Sequence, residues 1–455
     1  MRHERADARI LAAVAGILRT FQSGLPMTQR NFLCDLAVGI ICAQSALLSE
    51  IARAIAAPKD LKTVYHRLDI DLGLYDLQKP YERAQAQMLA DVDSSYLFIF
   101  DPSEVVKPFG KKMEALTLVR DASAKPLVVK DFKTGKKKKK PILKPGYPIR
   151  VAIAMDSAQE ILPIELSLYS TAAESFLSQN DENIQVLEGL LHRTNFQATV
   201  VLDREFDAFS IYRYFCQLRQ KFIVRIKKNR KFYLPDEPRS PNQKTYSREE
   251  MAEKHAYLAT KAVINFTHKG KTRPTLCEFM ASRVKLLSEE KKEESFRDVG
   301  DLDALILVRV KLHAVKGIPT LYLLTTTRPI TEIELQRVGL NYLARWNIEE
   351  YIRFIKQHFE LESFLVRDLG RMKNLVHAVY IATVVLHLLT DIKTSYGSKN
   401  HKYLLKKSLP VVKEKKTKDF FLYSYGRGLS NIINLNKKLF GSLNIVQNQS
   451  RKKAA

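Results

Sequence analysis

Between residues 94 and 228 the chain alternates short apolar runs with one helix-like segment, and several of the runs end on an acid. SSYLFIF leads into Asp101 and Pro102, PIRVAIAM (148–155) into Asp156 and TVVL into Asp203, with ILPIELSLYS (161–170) and KFIVRIKK (221–228) as further runs. Apolar runs of about four to eight residues closed by turn formers read as strands, and NDENIQVLEGLLHRT, just before TVVL, reads as a helix. Strands followed by alternating helix and strand predict an α/β fold, a mixed sheet flanked by helices. Pro102 lacks the amide hydrogen a ladder needs, so the first strand is expected to stop there with Asp101 exposed at its edge.

Lys and Arg outnumber Asp and Glu by 74 to 49, a formal charge of +25. Such an excess points to a polyanionic partner, because each phosphate neutralised releases counterions and a basic surface speeds encounter. A membrane surface is the competing polyanion. Against it, the most apolar stretch, LVHAVYIATVVLHLLT (375–390), carries two His and is shorter than the ~20 residues that span a bilayer, so a buried helix is expected. The N-terminus MRHERADARILAAVAGILRT mixes acids with its bases and shows no cleavage pattern, so a cytosolic protein is expected. Cys34, Cys42, Cys216 and Cys277 show no paired spacing and are expected as reduced thiols in cores. HKGKT (268–272) contains the GKT of a phosphate loop, but Asn265 stands where that loop requires glycine.

At 455 residues, 45% hydrophobic, the chain is too long for one ordinary domain and can fill two or three cores. Residues 1–92 read as helical, with apolar positions three and four apart through Ile10 to Leu18 and Ile40 to Ile55. Two of these helices break near Pro58, followed by Lys59, Lys62, His66 and Arg67. A helix-turn-helix whose later helix enters a groove fits this pattern, and so does a plain bundle with basic edges. Residues 93–229 and 323–391 are assigned to the sheet-bearing core. Residues 230–322, with strand-like KAVINFTH, LILVRVKL and PTLYLLTTT, read as a β-rich excursion from the main sheet. KTGKKKKK (133–140) reads as a loop between the first two strands, either solvated or touching phosphate. The basic region 392–455 fits a helical clamp on DNA or a partly disordered tail.

The chemistry concentrates in NYLARWNIEEYIRFIKQHF. A helix is expected to open at Thr331, with Glu334 completing a capping box. At about 100° per residue, Arg345, Glu349 and Lys356 fall at about 300°, 340° and 320° from Tyr342, so a phenol, a guanidinium, a carboxylate and an ammonium share one stripe. A solvated face with chance spacing gives the same pattern, but Asp101 and Asp203 upstream add two carboxylates. Phosphodiester cleavage by two divalent ions needs a few converging carboxylates as hard ligands, with the ions about 3.5–4 Å apart, and Mg²⁺ suits such a set. Ordinary partners are also in reach: turn backbone for Asp101, Arg204 or Arg225 for Asp203, Arg345 or Arg353 for Glu349.

The sequence resembles bacterial insertion-sequence transposases of the Asp-Asp-Glu type, in the insertion-sequence-four group. That group is marked by Tyr, two residues, Arg, three residues, Glu, six residues, Lys, and every spacing is kept from Tyr342 to Lys356. DPSEVVKPFGKKMEAL resembles the first acidic block, with Asp101, Ser103 and Lys107 in order, and VVLDREFD resembles the second. The likeness spans the chain from the first apolar run through the stretch ending at Thr390.

The resemblance implies a ribonuclease H-like core with a β-rich insertion, to which the residue patterns add an all-α N-terminal DNA-binding domain (1–92) and a basic helical C-terminal region (392–455). It implies Mg²⁺-dependent hydrolysis at the ends of a mobile element, then attack of the freed 3′-hydroxyl on target DNA. Two Mg²⁺ ions, with Mn²⁺ able to substitute, would sit on Asp101, Asp203 and Glu349. Tyr342, Arg345, Lys356, Lys107 and Arg353 would contact DNA, and a homodimer would form on paired ends in a nucleoid-associated, cytoplasmic setting. A non-catalytic DNA-binding relative and a stand-alone nuclease are the rival readings. The group has Arg-Gly-Phe where this chain has Arg204, Glu205 and Phe206, which adds a carboxylate near the site. The single Trp, Trp346, lies inside the helix motif, where core packing rather than stacking on a flipped base is expected.

Overall fold

Five helices open the chain: α1 (Arg2–Phe21), α2 (Met27–Ala43), α3 (Leu48–Ile55), α4 (Leu61–Leu74) and α5 (Gln78–Leu89). The strands β1 (Leu97–Val106), β2 (Thr117–Arg120), β3 (Leu127–Lys130), β4 (Lys137–Lys140), β5 (Leu143–Met155) and β6 (Ile161–Leu168) follow. Helix α6 (Gln179–Arg193) leads to β7 (Thr199–Leu202), and α7 (Phe209–Gln217) to β8 (Phe222–Arg225). Then come β9 (Lys231–Phe232), β10 (Tyr246–Ser247), α8 (Arg248–Lys254), β11 (Ala256–His268), β12 (Lys271–Leu286), β13 (Leu302–Leu312) and β14 (Leu321–Thr325). The chain closes with α9 (Glu332–Leu343), α10 (Asn347–His358), α11 (Leu369–Thr390), α12 (Ser395–Ser408) and α13 (Leu422–Leu435). This computed structural model describes residues 2–56, 60–130, 137–237, 244–268, 271–286, 302–313, 315, 317–391, 395–408 and 422–436.

The expected mixed sheet is present, with ten strands among the described residues in the order β11-β12-β13-β14-β8-β7-β1-β5-β2 and β6 also on β5. β1, β7 and β8 run parallel and the remaining pairs antiparallel. The stretch from 230 to 322 is not an excursion from this sheet. Its long strands β11, β12 and β13 prolong it through β14, which pairs with β8, and the expected boundary at 322 falls inside β14. Of the GKT sequence, Lys271 and Thr272 open β12, opposite His268 and Thr267, and Gly270 lies outside the described residues.

Pro102 does not stop β1. The strand stays paired with β5 as far as Val106, including Pro102 opposite Arg150, while β7 pairs only with Leu97 to Phe100. From Asp101 onward one edge of β1 therefore carries no registered partner, and a proline is tolerated on such an edge because no ladder donor is required there. Lys137–Lys140, expected in a loop, forms β4, paired with β3; residues 131–136 lie outside the described residues.

Helix α11 explains why the N-terminal helices are not a detached lobe. It is long and apolar enough to cross a membrane by composition. Here it runs through the protein interior, with residues such as Leu375, Val379 and Val385 fully buried against α1, α2, α5 and β6. Its Asn374 ties the end of α4: the side-chain amide donates to the carbonyls of Leu72 (3.0 Å) and Tyr75 (2.8 Å), and its oxygen accepts from the Leu77 amide at 3.1 Å. Pro58 and Lys59 lie outside the described residues, and Arg67 on α4 is paired with Asp35 at 2.6 Å. In the C-terminal region, α12 and α13 pack on the helical layer: Tyr403 and Asn436 bond Asp7, and Ser430 bonds the Cys42 carbonyl. Residues 409–421 and 437–455 lie outside the described residues. Cys34, Cys42, Cys216 and Cys277 are thiols outside any disulfide, and burial pushes the Cys34 and Cys277 thiols up to about 11.

Candidate active site

The last registered row of the three parallel strands is Phe100, Leu202 and Val224. The next residue on each is Asp101, Asp203 and Arg225, so strand alignment alone sets two carboxylates and a guanidinium side by side where the strands part. Asp203 leads into a 3-10 turn at Arg204–Phe206, and Arg225 approaches its carboxylate at 3.8 Å. Asp207 fixes the far side of that turn. Its buried carboxylate accepts from the Tyr212 hydroxyl (2.7 Å), the Lys227 amide (2.6 Å) and Arg230 Nε (2.9 Å). Sequence reasoning passed over Asp207, although it is the second aspartate of the LDREFD block.

The helical stripe arrives from across the sheet. Thr331 caps α9 as expected, its hydroxyl accepting from the Glu334 amide at 3.2 Å while the Glu334 carboxylate accepts from the Thr331 amide at 3.0 Å. Gly339, one turn before Tyr342, lies against the Phe279 ring of β12, where a side chain would collide. That close approach seats α9 on the extended sheet. The stripe is not one uniform α-helix, since Ala344–Trp346 tightens into a 3-10 turn between α9 and α10.

These elements bring Asp101, Asp203, Glu349, Tyr342 and Arg345 together. Arg345, 7% exposed, reaches Asp101 Oδ2 with Nη1 at 2.7 Å and Glu349 Oε1 with Nη2 at 3.2 Å. The Tyr342 hydroxyl donates to Asp203 Oδ1 at 3.0 Å. Burial, opposed by Arg345, pushes the Asp101 carboxyl up to about 7, with the charges of Asp203, Glu349 and Glu205 adding to the rise. Burial alone would lower the Arg345 guanidinium, but Asp101 foremost, with Tyr342, Asp203 and Glu349, holds it above its ordinary value. The pair is therefore unequal: the surrounding carboxylates favour the charged form of Arg345, whereas the same like charges disfavour the ionised form of Asp101. Burial and then the Asp203 charge push the Tyr342 phenol up. Glu205, the added carboxylate, stands on the site's side, since its charge reaches Asp101 and Glu104.

The other expected DNA contacts are placed differently. The Lys356 ammonium donates to the Glu104 carbonyl on β1 and lies 3.2 Å from Glu362. Arg353 pairs at 2.6 Å with Glu350, not Glu349, on an exposed face. Lys107 is buried: its ammonium donates to the Glu362 carbonyl (2.6 Å) and the Phe364 carbonyl (2.5 Å) and lies 3.4 Å from the centre of the Phe364 ring. Burial, opposed by Glu362, lowers it to about 7. As placed, Lys107 holds the chain's own backbone and is not presented to a phosphate. Trp346 packs on Phe266 of β11, ring centres 5.2 Å apart.

Among the described residues no group of three or more His, Cys, Asp or Glu side chains is placed to hold a metal ion. The Arg345 fork lies between Asp101 and Glu349 instead. The donor set still fits a hard divalent cation: all three acids offer carboxylate oxygens, and the like-charge crowding that adds to burial in raising Asp101 is a condition a bound cation relieves.

Residues 97–385 match a protein family described as "Transposase DDE domain". No curated protein matches the chain. Among solved structures, a piggyBac transposase synaptic complex with hairpin DNA, determined by cryo-electron microscopy, is similar at 10% identity and a TM-score of 0.39, over 95% of this chain and 79% of that one.

Proposed function

The chain belongs to the transposase DDE-domain family, and from that premise we propose that it cuts DNA at the ends of a mobile element and joins the freed 3′ ends to target DNA. The observation that carries the reading is the meeting of Asp101, Asp203 and Glu349 around Arg345 and Tyr342, from positions up to 248 residues apart (349 − 101). The core around them is read as ribonuclease H-like, with parallel β1, β7 and β8 beside antiparallel β5, and the group as the Tyr-Arg-Glu-Lys insertion-sequence type.

Asp101, Asp203 and Glu349 would hold the Mg²⁺ ions. Bound divalent ions supply charge to the scissile phosphate and acidify the attacking water. The chain's own groups do the rest. Tyr342 orients Asp203 through its hydroxyl, and Asp207 keeps the following turn fixed. Arg345 neutralises Asp101 and Glu349 in the resting site. Once the carboxylates have other counter-charge, its planar fork suits a phosphate beside the cleaved bond. The exposed Lys62 and His66 of α4 are read as a groove-entering edge of the N-terminal helices, and pairing of two element ends calls for a homodimer.

The test is Mg²⁺-dependent cleavage of a labelled duplex carrying the element's inverted end, repeated with Asp203→Ala. Cutting that survives the substitution rules the site out. A nuclease without strand transfer would cut but never join the 3′ end to a second duplex.

A further inference from the structure

Strands β3 and β4 form a sheet of their own, Leu127 opposite Lys140, Val128 opposite Lys139, Val129 opposite Lys138 and Lys130 opposite Lys137. They extend from β2 and β5, which pair at Arg120 and Leu143. An isolated two-stranded hairpin is marginal in water, and this one leaves Leu127 58% and Val128 60% exposed. Lys137, Lys139 and Lys140 are exposed beside them, and successive like charges on one strand repel. Neither β3 nor β4 contains an acid. The nearest described acid, Asp121, is taken by Lys144 at 2.7 Å and by the Ser123 hydroxyl.

We propose that this hairpin is a DNA-contacting arm that lies along a groove of the duplex away from the cleaved bond. The inference rests on the transposase reading and adds to it a surface and its ligand. A two-stranded ribbon fits the major groove of B-DNA, roughly 12 Å wide, and phosphates on both groove walls neutralise lysines on either side of the ribbon. Registration puts Val128, Lys130, Lys137 and Lys139 on one face and Leu127 and Val129 with Lys140 on the other. Both faces thus mix a base with an apolar residue. An anionic membrane needs one apolar face to insert, and the hairpin has none, so the groove is the better fit. The reach is set by β5: Val151 lies opposite Asp101 and Leu143 lies opposite Arg120. Those eight residues (151 − 143) extend about 27 Å at about 3.4 Å each, so the arm meets DNA about eight base pairs from the active carboxylates.

The experiment measures affinity against salt for full-length protein with Lys137, Lys139 and Lys140 all changed to Gln, on two duplexes. One extends about 20 base pairs past the cleaved bond and the other about 5, too short to reach the arm. On the long duplex the log–log slope is expected to fall by about 2 to 3, at about 0.9 for each lost phosphate contact, with no change on the short one. The same three positions as Arg should keep the wild-type slope, and the melting curve should be unchanged in both variants. An unchanged slope on the long duplex, or an equal loss on both, overturns the arm while leaving the cutting site intact. Wild-type protein that binds neither duplex overturns the arm and the transposase reading together. Retention on phosphatidylserine vesicles that is lost in the Gln variant, with DNA binding unaltered, assigns the lysines to a membrane and also overturns it.

Discussion

Arg345 joins Asp101 at 2.7 Å across 244 residues of sequence, and both side chains are shielded from solvent, 8% and 19% exposed. A buried carboxylate deprived of its counter-ion carries the full desolvation cost. Arg345→Ala is therefore expected to destabilise the protein by about 2–4 kcal/mol at pH 8. Adding Asp101→Asn to that background should recover part of the loss, because the stranded charge is gone. Chemical denaturation of the two variants measures this, and an Arg345→Ala protein as stable as wild type would mean that the contact is incidental.

The pH profile follows from Asp101. Its carboxyl is held up to about 7 by burial and by neighbouring acids, and only the ionised form offers a full ligand to a cation. At Mg²⁺ well below saturation, where protons compete with the cation for Asp101, cleavage is expected to rise about tenfold per unit on the acid side of pH 7 and to level off above it. A flat profile between pH 5.5 and 8 contradicts a free-enzyme Asp101 near 7.

Lys107 gives a prediction that separates stability from binding. Lys107→Ala removes two hydrogen bonds to the carbonyls of Glu362 and Phe364 and leaves both partly unpaired. A loss of about 1–3 kcal/mol is expected, with the salt slope of DNA binding unchanged. A shallower slope with unaltered stability would return Lys107 to the DNA contacts.

His377 of α11 stacks on Tyr81 of α5, ring centres 4.2 Å apart, and burial lowers it to about 4. A lowered histidine is neutral in the fold. Its contribution is full above the unfolded value of about 6.5 and is lost as pH falls through about 4. His377→Phe keeps a ring against Tyr81 and removes the titration. The variant is expected to lose about 1–3 kcal/mol less than wild type between pH 7 and pH 4 in parallel denaturation series. Identical losses would show that acid acts elsewhere.

Local rules made much of this architecture readable before any contact was known. Apolar runs gave the strands β1, β5, β6, β7 and β8 because a strand buried on both faces has no polar position to fill. The Thr331 cap was readable because its partner is three residues away. Asp101, Asp203 and the Tyr342-to-Lys356 spacing could be picked out because the ends of apolar runs and a helical stripe are themselves local patterns. Pro102 misled for the same reason: whether a proline ends a strand depends on what lies on its open edge, and β7 stops at Leu202.

Tertiary structure alone decided the rest. The sequence could not say that β11 to β14 prolong the main sheet, that α11 gathers the N-terminal helices, that Lys107 turns inward, or that Arg345 lies between two carboxylates. Each of these depends on pairings between segments tens to hundreds of residues apart. Such contacts are selected by the combined burial of many surfaces, and no window of sequence contains both sides of the pair.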